Sequence, residues 1–431
     1  AQSRFRRKRF SSVVTGSYNR TDGHRKRMGF EQYGGYAKLG YEFSKQWDVF
    51  ADANITHFNA SNPGMENNPI YDNDSKITRG MSSLSIENDY AHTSGALKFF
   101  YNWGKHSIND GHYESEAPKN YLFKSNDKMF GITWYQSASL FAGNRLTVGF
   151  DYQQFGGKAW NSYNDGSKIE IVDKTENDIA EYIDFRQKIN SIMTLDAGVR
   201  FDYHTQTGSQ WIPQFGASIY PFRTGEIKLI ASKGFRNPTI RELYMFPPQN
   251  ADLHAENLWN YEAAWSHRVL QNRLSYGVSL FYIDATNMIQ TVMIEGRPIN
   301  TNSNQIENWG TELSASYRML KAITINANYS WLHMEKPVIA APEHKLYAGV
   351  DYMKGHWNVS SGVQYVDGLY TSTNPIFTEK FVLWNAGCTF KTTQNMKLFV
   401  KAENLLNQKY EINLGFPMPG TSVMGGININ I

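Results

Sequence analysis

The chain of 431 residues has no uninterrupted apolar run near the roughly 18 residues that a membrane-spanning helix needs. It has one cysteine, Cys388, which excludes an internal disulfide and a cysteine metal cluster. Neither sign of charge dominates: 43 Lys and Arg face 40 Asp and Glu, a net +3. A global field that small predicts no nucleic-acid partner. The basic run Arg4, Arg6, Arg7, Lys8 and Arg9 is local and reads as a solvated strand end. No apolar signal-peptide core stands at Ala1, so the chain reads as processed or truncated there. No blade motif repeats, which argues against a propeller. GxSxG, HExxH, a P-loop and a helix-opening GxGxxG are all lacking. The eleven histidines form no short-range metal pair. Catalysis, a bound metal and a cofactor are therefore not expected.

What the chain does have is two-residue alternation. In 33–43 one parity reads Tyr33, Gly35, Ala37, Leu39, Tyr41, Phe43 and the other Gly34, Tyr36, Lys38, Gly40, Glu42. Successive side chains of a strand point to opposite faces, so this segment has one apolar and one wet face. Leu274/Tyr276/Val278/Leu280/Tyr282 against Arg273/Ser275/Gly277/Ser279 repeats the pattern. So does Ile323/Ile325/Ala327/Tyr329/Trp331 against Thr324/Asn326/Asn328/Ser330. Spanning strands need only about 9–11 residues with apolar residues at alternate positions, so low mean hydropathy suits a membrane barrel. The 26 Tyr, 25 Phe and 11 Trp fit rings at the lipid–water boundary. Cys388 shares a parity with Val382, Trp384, Ala386 and Phe390, predicting a buried or lipid-facing thiol.

Short turns, as at Ala142-Gly143-Asn144 and Lys354-Gly355, alternate with longer polar loops near 60–76, 106–127, 156–176, 235–257, 285–308, 334–343, 366–379 and 409–420. Outer-membrane barrels show this asymmetry, with the short turns periplasmic. The expected fold is all-β: one transmembrane antiparallel β-barrel over residues 1–431, with about 20 strands present of an expected 22 or so.

Four segments then resemble the TonB-dependent outer-membrane receptor family. Gly234-Phe235-Arg236-Asn237-Pro238-Thr239-Ile240-Arg241-Glu242-Leu243-Tyr244, with Asn250–Glu256 and Tyr261-Glu262, is similar to its "FRxPxxxELY … NPxLKPE … YE" loop, departing at Ala251, His254 and Ala255. Gly310-Thr311-Glu312 resembles "xxGxE", and Pro342-Glu343-His344-Lys345 resembles "PxHK". Glu403–Glu411 with Pro419-Gly420 resembles "NLFNKKYE … PGR", with Thr421 where the family has Arg. The likeness in motif covers 234–431; residues 1–233 match in architecture. Most of these residues read as barrel architecture rather than ligand contacts.

The resemblance implies a Gram-negative outer-membrane transporter importing a ferric siderophore or similar iron complex. It implies an N-terminal plug, one or two first strands and a TonB-engaging segment that this chain does not contain. Partners follow: the TonB–ExbB–ExbD complex, the iron complex, and outer-membrane lipid and lipopolysaccharide, with the receptor a monomer. Cobalamin or haem receptors and a passive porin are the alternatives. Haem is weakened because no His lies between Tyr244 and Asp252. Candidate ligand contacts are the loop aromatics His112, Tyr113, Trp160, Tyr163, Tyr244, Met245, Phe246 and Trp309, which suit a flat or apolar ligand. Arg236, Arg241 and Arg297 suit an anionic chelate. Met288, Met293, His333 and Met334 raise a soft metal such as copper, though scattered Met is usually filler. Asp72, Asn73 and Asp74 offer calcium-type oxygens in what reads as a solvated turn. Lys38 and Glu42 are expected to face the lumen.

Overall fold

The computed structural model describes residues 1–302 and 305–430. The alternating segments are strands, and 21 of them form one antiparallel sheet. Each wall strand pairs with the next along the chain, from Gln2–Arg7 against Phe10–Thr21 to Met396–Glu403 against Ser422–Ile429. The curl brings the two ends of this meander together at the loop end of the wall. His24, after the second strand, hydrogen-bonds the Pro417 carbonyl at 2.8 Å, 393 residues away. Glu66 N–H donates to the Gly415 carbonyl at 2.8 Å. Among the described residues no helix is long and apolar enough to cross a membrane.

Strand register shows how the wall separates its two environments. Leu39, Ala51, Leu84, Phe99 and Ile132 stand side by side across five strands. That row faces outward, toward lipid. Inner rows carry charge paired across strands: Arg6 with Glu42, Arg79 with Asp127 at 2.8 Å, Arg186 with Asp196 at 2.7 Å, and Arg200 with Asp151. Lys38 lies on this inner face, 4.4 Å from the Phe50 ring centroid. Cys388 is half-buried on the outward face, opposite Val359 and Val400. A barrel has little conventional core, and small numbers of buried apolar residues sit under loops instead. Val366, Leu369 and Phe381 pack with Tyr410 and Ile412. Pro238, Leu243, Leu253 and Ala255 are the buried residues of the 237–255 segment.

The wall is not of uniform height. Strands Tyr71–Asp89, Thr93–His112, Tyr121–Ala138, Asn144–Tyr163 and Lys168–Ile189 run 18 to 22 residues, about twice what a membrane crossing requires. The polar stretches read as loops at 106–127 and 156–176 are therefore largely strand; the connections are 113–120 and 164–167. The stretch 366–379 is likewise nearly all strand around a connection at 374–375. Beyond the membrane both faces of a strand are wet, so the alternation fades although the ladder continues. Asp72–Asp74 also begin a strand. Asn73 donates its amide nitrogen to the Asp110 carbonyl and Asp74 accepts from Ser61, so the two side chains are held by separate partners.

The motif segments are joints. Gly310 has no room for a side chain, since a Cβ there would lie 2.2 Å from the Trp331 carbonyl. Asn404, buried, donates to the carbonyls of Gln408 and Pro419 and accepts from Gln408 N–H. Thr421, where an Arg is usual, still ties this turn by donating to the Asn404 carbonyl at 2.7 Å.

Candidate functional site

The site begins with Arg236, at the outer end of strand Gly225–Arg236 and opposite Glu256 in register. Its Nε donates to Glu256, and its two terminal nitrogens donate to the two oxygens of Glu242 at 3.0 and 3.1 Å. Such paired, charge-assisted bonds are among the strong ones. Glu242 also closes the capping box of the helical turn Ile240–Tyr244: its carboxylate accepts from Thr239 N–H, and Thr239 Oγ1 accepts from Glu242 N–H. Burial pushes the Glu242 carboxyl up, but bonds from Arg236 and Thr239 outweigh that and hold it below the ordinary carboxylate value. Glu256 and then Glu242 push the Arg236 guanidinium above its usual value.

This clasp fixes 237–255 to the next loop, in which Ile289–Ile294 and Arg297–Asn302 form a hairpin. Ile289 N–H donates to Glu256 at 2.7 Å. Asn300 N–H donates to the Pro248 carbonyl at 2.6 Å, and Asn250 Nδ2 to the Asn300 carbonyl at 2.8 Å. Asn302 and His254 exchange bonds at 2.9 and 3.0 Å. The two loops thus form one unit, and the unit rests on the inner face of the tall strands. Phe246 meets Phe123 with ring centroids 5.9 Å apart. Lys174 Nζ lies 4.8 Å from the Tyr244 ring centroid. Gln206 donates to the Ala251 carbonyl at 3.2 Å.

Between unit and wall lies a chamber of about 740 Å³, within the range of small-molecule sites. The wall supplies Arg79, Met81, Asn102, Asp127, Met129, Phe155, Ala159 and Val172; the helical turn supplies Ile240, Arg241 and Met245. Asp127 neutralises Arg79, and His106 Nε2 stands 3.2 Å from the same carboxylate. Arg241 is exposed into the chamber and makes no ion pair among the described residues. Beside the chamber Phe155 stacks on His204, whose Nε2 lies 3.3 Å from buried Glu176. Neither atom of that contact has hydrogen-bond geometry. Among the described residues no three His, Cys, Asp or Glu are grouped to hold a metal. The arrangement can enclose and orient a guest, with a cation, thioethers and one aromatic face.

The structure brings together only part of the residue set expected from sequence. Arg241 and Met245 line the chamber, Tyr244 and Phe246 brace its roof, and Arg236 serves the clasp. His112 packs its ring 5.9 Å from that of Tyr71, and Tyr113 is exposed next to it at the outer rim. Trp160 takes the wall face opposite to Ala159, across from Lys124. Tyr163 pairs with Tyr121 at 5.4 Å. Arg297 is exposed at the hairpin turn. Trp309 lies against His333 with ring centroids 4.1 Å apart, in the outward row of Tyr282 and Tyr261. Met293 is exposed on the hairpin and Met334 pairs across from Asn308, so neither joins a chamber wall. The thioethers that do converge, Met81 and Met129, were not anticipated. They sit on inner parities of strands, where only register relates them.

A family model, TonB dependent receptor-like, beta-barrel, matches residues 9–405. Among solved structures, the siderophore receptor PirA from Acinetobacter baumannii superposes with TM-score 0.82 at 14% identity, covering 99% of this chain and 76% of that one. The copper transporter OprC gives 0.85 at 14%, covering 98% and 76%. A mutant of the ferric enterobactin receptor PfeA from Pseudomonas aeruginosa, in complex with enterobactin, gives 0.79 at 12%, covering 98% and 76%. At such identities the likeness is one of fold.

Proposed function

This chain belongs to the TonB-dependent receptor family through its β-barrel, and on that premise we propose that it imports a ferric siderophore or similar anionic iron complex across the outer membrane of a Gram-negative bacterium. The observation that carries this reading is the chamber beneath the clasped loops, with the Arg241 guanidinium, which has no ion-pair partner among the described residues, on its lining. Guanidinium groups suit oxyanionic ligands because their planar donors meet two oxygens at once. Phe155, Met81 and Met129 offer the apolar surface that a bulky chelate needs. In this reading the loops capture the complex, and TonB with ExbB–ExbD drives its passage by pulling on an N-terminal plug inside the barrel.

The test is uptake of a labelled ferric complex by cells with and without TonB. TonB-dependent uptake, weakened about tenfold in affinity by Arg241→Ala, is expected. Uptake that ignores TonB would favour a diffusion pore, and preference for haem or cobalamin would redirect the substrate. A second reading, a soft metal ion such as copper, has one observation in its favour: three thioethers, Met81, Met129 and Met245, line the same chamber. Met81→Leu with Met129→Leu keeps volume and removes sulfur. It spares uptake of an iron complex and abolishes uptake of copper.

A further inference from the structure

The chamber wall holds a triangle of contacts that the clasp does not use. One row of the inner face runs Thr56, Arg79, Gly104, Asp127, Gly157 and Lys174 across six strands. Gly104 stands between Arg79 and Asp127, and a Cβ there would lie 2.4 Å from Asp127 Oδ1. The missing side chain lets the carboxylate lie across the intervening strand and accept from Arg79 Nη2 at 2.8 Å. His106 is on the same face of that strand, one step toward its outer end, between Ile77 and Ser125. Its Nε2 lies 3.2 Å from Asp127 Oδ1 and 3.3 Å from Arg79 Nη1. Burial pushes the His106 imidazole below its ordinary value, more than Asp127 lifts it, and Arg79 lowers it further. The ring is therefore neutral at neutral pH and takes up a proton in mild acid.

The two contacts compete for one ring nitrogen. A guanidinium only donates, so toward Arg79 the Nε2 atom needs a lone pair. A carboxylate only accepts, so toward Asp127 the same atom needs a proton. The neutral ring can meet either partner, according to its tautomer; the protonated ring can meet Asp127 alone. Protonation therefore settles the competition. Nε2–H donates to Asp127, Arg79 Nη1 loses its acceptor, and one carboxylate is shared between two cations. The triangle, neutral before, becomes cationic. The other charged groups facing it are Arg241 on the helical turn and Lys174 at the end of the row, both positive. Lys158 is held by Glu170 and Asp173, and Lys105 and Lys128 project from the opposite face of the wall. Glu176 is turned toward His204. Thr56 and Phe58, on the strand before Arg79, carry no charge. Nothing anionic on these elements offsets the gain, so an anion in the chamber does.

We propose that His106 is a positioning residue whose proton decides whether Arg79 stays with Asp127 or turns to the guest, so that the chamber selects multiply charged oxyanionic complexes and takes up a proton as it binds them. This role presumes the transport reading above, which supplies the anionic guest. Sulfate is the probe, because it stays a dianion from about pH 5.5 to about pH 7.5, the range over which an imidazole titrates. Histidine NMR of the whole receptor in nanodiscs follows His106, with its signal assigned from His106→Gln. Replacing chloride by sulfate at equal ionic strength raises the His106 titration midpoint by about half a pH unit, because an anion favoured by the protonated ring favours that ring's proton in return. The same coupling makes sulfate bind about threefold more tightly at the acid end of the range. His106→Gln loses this pH dependence. Asp127→Asn, which leaves Arg79 without its carboxylate, binds sulfate about threefold more tightly at neutral pH than the unaltered protein, whereas a merely structural Asp127 would give weaker binding. A midpoint that sulfate leaves unmoved, pH dependence that survives in His106→Gln, or weaker binding by Asp127→Asn overturns the proposal while TonB-dependent uptake stands. Loss of TonB dependence overturns the transport reading while the sulfate response stands.

Discussion

Between Tyr71 and Ile189 the wall gains height by continuing its strands, whereas between Arg236 and Asn302 it gains height with loops. The first route satisfies backbone donors and acceptors through the ladder itself, so almost any polar side chain is tolerated. The second route leaves backbone groups to be satisfied one by one. It therefore needs specific residues: a guanidinium between two carboxylates, a capping box, asparagines that reach carbonyls, and a few buried apolar side chains. The chamber exists because the two constructions meet, with the looped region leaning on the tall one.

Removing the clasp is the most direct way to break that arrangement. Arg236→Ala leaves Glu242 and Glu256 without their shared cation, and Glu256 has only 10% of its side chain exposed. Stranding buried charge is costly, but the guanidinium itself is 45% exposed, so solvent screening trims the loss to about 2 kcal/mol of loop docking. Hydrogen exchange over 239–255 is expected to accelerate about thirtyfold, while exchange in 71–189 stays as it was. Unchanged protection of 239–255 would show that the hairpin alone holds the loop.

The same contrast explains what the sequence made legible. Membrane-level strands were readable because lipid and lumen impose opposite chemistry on alternate residues. The looped joints were readable because their side chains do the hydrogen bonding, which concentrates motifs at 234–256 and 404–421. The upper halves of the tall strands were not, because both faces are wet there. Asn73 opposite Asp110 and Lys124 opposite Trp160 carry no local strand signal. The chamber inherited both outcomes. Arg241 and Met245 belong to a motif and were found, whereas Met81, Met129 and Phe155 come together only through the register of strands far apart in sequence.

Acid sharpens the comparison, with a smaller effect. The carboxyl of Glu242 is pushed up by burial but held lower, on balance, by Arg236 and Thr239. A carboxylate with a lowered folded-state value contributes stability that is complete above its unfolded value of about 4.3. That contribution is lost as pH falls through the folded-state value. Limited proteolysis within 237–255 should therefore rise below about pH 4, before the strands of the tall sector are cut. Glu242→Gln should be cut readily at neutral pH and show a flatter response to acid. A loop equally resistant at every pH would mean that the clasp does not control docking.

The finest division falls between two residues that sequence placed in one candidate set. Met245 lines the chamber, whereas Trp160 occupies the opposite face of the wall from chamber-lining Ala159. Truncating Met245 removes apolar contact with a guest, so Met245→Ala is expected to weaken ligand binding about fivefold, measured by calorimetry on the purified receptor. Trp160→Ala removes a larger side chain but no chamber surface, and the same affinity should stay within about twofold. The usual rule that large aromatics dominate binding predicts the reverse order. A greater loss from Trp160→Ala would therefore place the ligand outside the wall and remove the chamber from the binding site, whatever the family suggests.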